Sequence, residues 1–218
     1  MSPIASHIAP NGQFAQPKEF SKIMFHLMKY QNLSKSLPVA GLLALFLSAP
    51  VSAASFDSVY TKLNLDDCKA IPVAKAEPAD GGRWACMGYD NTLVYVAEGD
   101  LRFFVSYGLK ALKEKAVEQT LPQFNTINDT LEWRLIYENG KWKPFATILR
   151  WYTQGGGNSN AKGEVLVVTK LEPGNVCHVA YINAKLVPDA NKIARQIADT
   201  NAAEFNCQTD KTINVPGE

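Results

Sequence analysis

Asn139-Gly140 sits between two alternating runs in LEWRLIYENGKWKPFATILRWY, Leu131 to Tyr152, and few dipeptides constrain a chain more tightly. Both residues tolerate the positive φ of a type I′ turn, so the stretch predicts two antiparallel strands joined by a two-residue loop. Counting outward pairs Glu138 with Lys141, Tyr137 with Trp142, Leu135 with Pro144, Trp133 with Ala146 and Leu131 with Ile148. One face is then aromatic and aliphatic and belongs in a core. The other carries Glu132, Arg134, Ile136, Lys143, Phe145 and Thr147 and is mixed. Pro144 has no N–H to give a ladder, so it implies an edge position or a bulge. A bulge there slips the register beyond it and moves Arg150 to the opposite face.

The segments around the hairpin read as layers added to it. Arg83 to Tyr89, Thr92 to Glu98 and Leu101 to Tyr107 form a three-stranded meander, with turns at Asp90-Asn91 and Glu98-Gly99-Asp100. Glu164 to Leu171 and Val176 to Ile182 form a second hairpin around Pro173-Gly174, which places Thr169 opposite His178 and Val168 opposite Val179. Leu109 to Gln119 has the spacing of a modest helix. Asp189 to Ala198 is the clearest helix, with Ala190, Ile193, Ala194, Ile197 and Ala198 making a narrow stripe suited to lying flat on a sheet. Ser55 to Leu65 fits either a short helix or an extended segment. Asn125 to Asp129 reads as a loop, and Thr153 to Gly163 as a mobile connection, since it lacks the G-K-[ST] of a phosphate cradle. The expected fold is α+β: antiparallel β-meanders with two helices packed on the sheet.

Compartment follows from the N-terminal third. Lys29 and Lys35 precede an apolar run of about eleven residues, Leu37 to Leu47, and Val51-Ser52-Ala53 offers a small-residue cleavage site. Residues 28–53 therefore read as a secretory signal cut between Ala53 and Ala54. The run is shorter than the roughly twenty residues of a membrane span, so no stable insertion is expected after the signal is removed. Residues 1–27 lie awkwardly upstream and read as a mis-assigned or disordered extension. Residues 54–207 are expected to form a single domain and 208–218 a loose tail.

All four cysteines fall in the exported part. An even count in an oxidising compartment predicts two disulfides, with Cys68–Cys86 and Cys177–Cys207 the favoured pairing because each joins neighbouring elements. Each bridge is worth about 3 kcal/mol by loop-closure entropy. No C-x-x-C spacing supports a zinc site, and no metal or cofactor is expected.

Chemistry is sparse. His178 is the only histidine of the exported part and lies inside an apolar strand. No G-x-S-x-G elbow supplies a nucleophile. Asp66-Asp67, and Glu98 with Asp100, are carboxylates at turns, where they are usually solvated. The net charge is +1 for the whole chain and slightly acidic without the N-terminal lysines, with no basic stripe, which disfavours a nucleic-acid partner. The candidate binding set is Arg134, Arg150, Trp151 and Tyr152, because arginine forks and aromatic faces gather where proteins grip partners or anions. The competing reading puts Trp151 in the core and pairs the arginines with Asp129 or Glu132.

The pattern WACMGYDNTLVYVAEGDLRFFVSYG, followed by EWR, PFATILRW, CHVAYI and AR-x-IAD, resembles a family of uncharacterised exported proteins of alpha-proteobacteria, over most of Tyr60 to Cys207. That resemblance implies secretion and disulfides but no activity. The Trp-Ala-Cys-x-Gly strand also resembles small periplasmic inhibitors of lysozyme. The expected function is a periplasmic or secreted binding or interaction module without catalysis, for an unknown protein or a small anionic or saccharide ligand. The alternatives are an enzyme inhibitor and a weak carbohydrate-active enzyme.

Overall fold

The Asn139-Gly140 turn forms as a type I′ loop, with φ of 52° and 80° at its two residues, in the computed structural model of the protein. The structure describes residues 54–72, 81–154 and 162–216. The turn joins β6 (Asn125–Glu138) to β7 (Lys141–Gln154), the two longest strands among the described residues. Around it the chain runs through β1 (Phe56–Lys62), β2 (Lys69–Ala70), β3 (Arg83–Met87), β4 (Leu93–Gly99) and β5 (Arg102–Tyr107) before the hairpin. After it come β8 (Lys162–Lys170), β9 (His178–Asn183), α1 (Ala190–Asn201) and β10 (Ile213–Val215).

These strands make two sheets. The larger has six strands in the order β1-β6-β7-β8-β9-β10, and the smaller has four in the order β2-β3-β4-β5. The six-stranded sheet is covered on both faces. Trp133, Trp151, Leu131, Leu149 and Val167 meet Val94, Val96, Val105 and Tyr107 of the smaller sheet in one core. Ala146, Ile148, Leu166 and Val168 meet Ala190, Ala194 and Ala198 of α1 in the other. The alanine stripe lets the helix approach the sheet closely, as its spacing predicts.

Pro144 is the site of a bulge. Leu135 faces Pro144, but the next pair is Arg134 with Ala146, followed by Trp133 with Thr147 and Leu131 with Leu149. The register has slipped by one, so Ala146 and Ile148 turn to the helix and Leu149 and Trp151 turn to the inter-sheet core. The second hairpin carries a similar irregularity. Thr169 does face His178, but Val168 faces Ala180 rather than Val179.

The expected α+β class with two helices is corrected by the structure: the described part is mostly β, with one α-helix. Leu109 to Gln119 does not coil into a helix. It forms two short 3₁₀ turns, Ala111–Lys113 and Lys115–Glu118, separated by Glu114 in extended conformation. Glu114 is buried, and its carboxylate accepts the backbone N–H groups of Gly174 (2.7 Å) and Val176 (3.1 Å). The N–H of Ala116 donates to Val176 O. Three long-range hydrogen bonds outweigh a weak local preference. The leucines of the expected helix face, Leu109 and Leu112, are left exposed.

Of the two readings left open for Ser55 to Leu65 the extended one holds, with Phe56–Lys62 as β1 and Leu65 opening a 3₁₀ turn. Two further segments differ from expectation. Asn125 to Asp129 is the start of β6 rather than a loop, because the N–H of Asn125 donates to Leu101 O and its side-chain oxygen accepts from Phe103 N. The tail after Cys207, expected to be loose, returns as β10, parallel to β9, with Ile213 and Val215 against the helix-side core. Its strand covers an edge that β9 would otherwise leave open.

Both disulfides form as paired above, Cys68–Cys86 and Cys177–Cys207. Among the described residues no helix is long and apolar enough to cross a membrane. The expected signal at 28–53, the extension at 1–27 and most of the glycine-rich loop lie outside the described residues.

One turn carries visible strain. The β4–β5 reversal places Asp100 at φ 50° and Leu101 at φ 58°, and the Leu101 side chain is exposed. A leucine in that region costs about 1 kcal/mol or more against glycine. Leu101→Gly is expected to raise the melting temperature by a few degrees in a thermal unfolding scan.

Candidate functional site

The four residues proposed from the sequence do not converge. Arg134 is buried on the helix side of the sheet, where Nε and Nη2 grip Asp199 of α1 at 2.6–2.9 Å and Nη1 donates to Ser58 Oγ. Arg150 pairs with Glu164 (2.7 Å) and reaches Asn191 near the start of α1. Asp199 and Asn191 are two helical turns apart, roughly 12 Å. Trp151 is fully buried on the opposite face, edge-on to the His178 ring at 5.9 Å. Tyr152 accepts a hydrogen bond from Asn128. Trp151 is thus core, and the arginines are engaged, but by Asp199 and Glu164 rather than by Asp129 or Glu132. Those partners sit on other elements, and no local sequence signal could have named them.

His178 is also core. Its ring contacts the Tyr181 hydroxyl through Nδ1 (2.8 Å), and its backbone N–H donates to Gln119. Burial drives the imidazole down to about 3, so the ring is neutral at physiological pH, and burial likewise pushes the Tyr181 phenol up to about 12. Among the described residues no group of three histidine, cysteine or acidic side chains is placed to hold a metal ion. Of the carboxylates considered for acid–base work, Asp66 and Asp67 lie in a 3₁₀ turn capped by Asn64, Asp100 pairs with Arg102, and Glu98 belongs to strand β4 rather than to the turn.

The structure instead presents a cleft of about 580 Å³ where the two sheets meet. Three turns and one bulge frame it. Asp90 and Asn91, both at positive φ, close the β3–β4 turn, and Gly108, at φ 86°, lets the chain leave β5. The Pro144 bulge and the Pro173-Gly174 turn supply the other two sides. The walls are aliphatic: Leu93, Leu109, Pro144, Leu171, Pro173 and Val176. Tyr107 is the one aromatic side chain among the lining residues, and burial holds its hydroxyl above the ordinary phenol range, with Thr147 opposing. The charged lining residues are Asp90, Lys110, Glu114 and Lys143. Glu114 is occupied by the two N–H groups of the 174–176 segment, and Lys143 has Glu138 at 3.7 Å. The lining holds no histidine, cysteine or serine. A smaller cleft of about 250 Å³ lies across the same bulge, with Ile136, Phe145 and Ala202 among its walls.

Volume and lining match what small-molecule sites use, 300–1,000 Å³ of mainly apolar surface with few polar groups. Sequence reasoning found three of these features one by one, through Asp90-Asn91, Pro144 and Pro173-Gly174. It had no means of bringing them together, since they are spread over more than 80 positions between Asp90 and Val176. Comparison with known protein families, characterised proteins and solved structures returned no match.

Proposed function

We propose that the protein is a non-catalytic binding module, exported to the periplasm or secreted, that takes a small ligand in the cleft between its sheets. The observation that carries this reading is the cleft itself: about 580 Å³ of space with aliphatic walls, between two packed sheets in a fold that carries two disulfides. The disulfides support an oxidising compartment. The resemblance to exported proteins of alpha-proteobacteria points the same way. The lining favours holding over turnover, because its one buried carboxylate is committed to backbone hydrogen bonds.

The reading is tested by screening a library of small apolar compounds against methyl-labelled protein by NMR. Shifts are expected at Leu93, Leu171 and Val176, and Leu171→Trp, which fills the cleft, should abolish them. Shifts confined to other surfaces, or hits that bind the filled variant equally well, would defeat it.

A second reading, an inhibitor that docks on an enzyme, draws on the tip of the central hairpin. Tyr137 and Trp142 meet across the strands with ring centres 5.2 Å apart and planes tilted by 60°, and remain about half exposed, beside Glu138 and Lys141. Exposed aromatics on a rigid hairpin are suited to anchoring a partner. Retention of lysozyme by the wild type and its loss in Trp142→Ala would favour this reading over the first.

A further inference from the structure

Resting on the binding reading above, we infer that the cleft takes a single-chain aliphatic amphiphile whose head group carries no net charge. Two features of the site lead there. The first is the character of the walls. Six aliphatic side chains and a single buried tyrosine offer contact without direction, which suits a flexible hydrocarbon chain. A sugar ring or nucleobase is instead held by aromatic faces and convergent hydrogen-bond groups, and the exposed aromatic pair at the hairpin tip, Tyr137 and Trp142, is not among the lining residues. Leu109, at the rim, is 96% exposed and leaves apolar surface that a bound chain would cover.

The second feature is the charge. Lysines and carboxylates among the lining residues are equal in number, two of each. No arginine joins them, so a nucleotide or a phosphorylated sugar finds no fork to bind. Glu114 is held by backbone N–H groups and Lys143 has Glu138 beside it. Lys110 and Asp90 remain, both exposed and with no ion-pair partner among the described residues. A head group with one charge of each sign can answer both. An anionic head leaves Asp90 as a like charge at the mouth, and a cationic head leaves Lys110.

The test is isothermal titration with four probes, each kept below its critical micelle concentration: dodecylphosphocholine, dodecanoate, dodecyltrimethylammonium and the neutral aromatic 1-aminoanthracene. Dodecylphosphocholine is expected to bind one per chain. The two singly charged dodecyl probes should bind about threefold to fivefold more weakly, the size of an exposed charge mismatch. Leu171→Trp should remove binding. Leu109→Ser, at a position too exposed to affect folding, should weaken it. Binding of 1-aminoanthracene alone would overturn the ligand class and leave the cleft as a binding site. Equal or tighter binding of dodecanoate or dodecyltrimethylammonium would overturn the head-group assignment. No binding by any probe would overturn both this inference and the reading on which it rests.

Discussion

Arg134→Ala is expected to lower the unfolding free energy by about 4 kcal/mol, read as a shift of the urea midpoint with an unchanged slope. Arg134 stands at the centre of a chain of hydrogen bonds between α1 and the sheet. It grips Asp199 with two nitrogens and donates to Ser58 Oγ, and Ser58 in turn donates to Glu132. Glu132 is buried and receives Arg195 of α1 at 2.6 Å, and that pairing holds the Arg195 guanidinium above its ordinary range. Arg195 also donates to the Tyr60 hydroxyl. Removing the arginine strands Asp199, only 21% exposed at its side chain, and leaves the half-buried Ser58 hydroxyl with Glu132 alone. The cost is therefore that of a stranded charge, not of one surface ion pair. Arg134→Lys should recover only part of the loss, because an ammonium cannot reproduce the two-pronged grip. A shift below about 1 kcal/mol would mean that the helix is held by its alanine stripe alone and that the polar chain contributes nothing net.

What could be read from the sequence, and what could not, divides by the range of the interaction. The central hairpin was legible because Asn139-Gly140 acts on its immediate neighbours, and the bulge was legible because Pro144 cannot donate whatever surrounds it. The helix at Ala190–Asn201 was legible because its stripe repeats locally. The helix expected at Leu109 to Gln119 failed because Glu114 finds its partners about 60 residues downstream, at Gly174 and Val176. Long-range contacts also disperse the four candidate binding residues. Arg134 and Arg150 look available in a string of letters, but Asp199 and Glu164 arrive from other elements and occupy them. The cleft was invisible because its walls are ordinary turns and a bulge, and only the packing of two sheets brings them to one place. The strand Ile213–Val215 was missed because two alternating apolar residues in a polar tail are a weak signal until an open sheet edge is known to lie beside them.

Below pH 6.5 the protein is expected to lose stability at the rate of one proton, reaching a loss of about 3 kcal/mol near pH 4, on account of His178 alone. The sign follows from the direction of the shift. In the unfolded chain the ring titrates near 6.5, whereas burial takes the folded ring down to about 3. Above pH 6.5 both states are neutral and the group contributes no slope. As the pH falls below that value, the unfolded chain takes up a proton that the folded chain refuses, so the equilibrium moves toward unfolding until the folded ring itself titrates. The geometry explains the refusal. The imidazole is packed edge-on to Trp151 and Tyr181, its Nδ1 contacts the Tyr181 hydroxyl, and its Nε2 has no hydrogen-bond partner among the described residues. A charged ring there would be a buried cation with no counter-ion. Two carboxylates titrate with the same sign but lower on the scale. Lys62 holds Asp129, and Lys170 with Asn175 holds Glu172, below the usual carboxylate range, so the stability they lend is lost only as the pH falls through the acid end. Between pH 6 and 4.5 the slope therefore belongs mainly to the histidine. His178→Gln should cost stability at pH 7 through lost packing, yet its unfolding free energy should vary with pH across that window by one proton less than the wild type. Urea titrations at half-unit pH intervals measure the difference. Parallel curves for the two proteins would show that the ring accepts its proton without unfolding, and that the inter-sheet core is wetter or looser around Trp151 than its packing indicates.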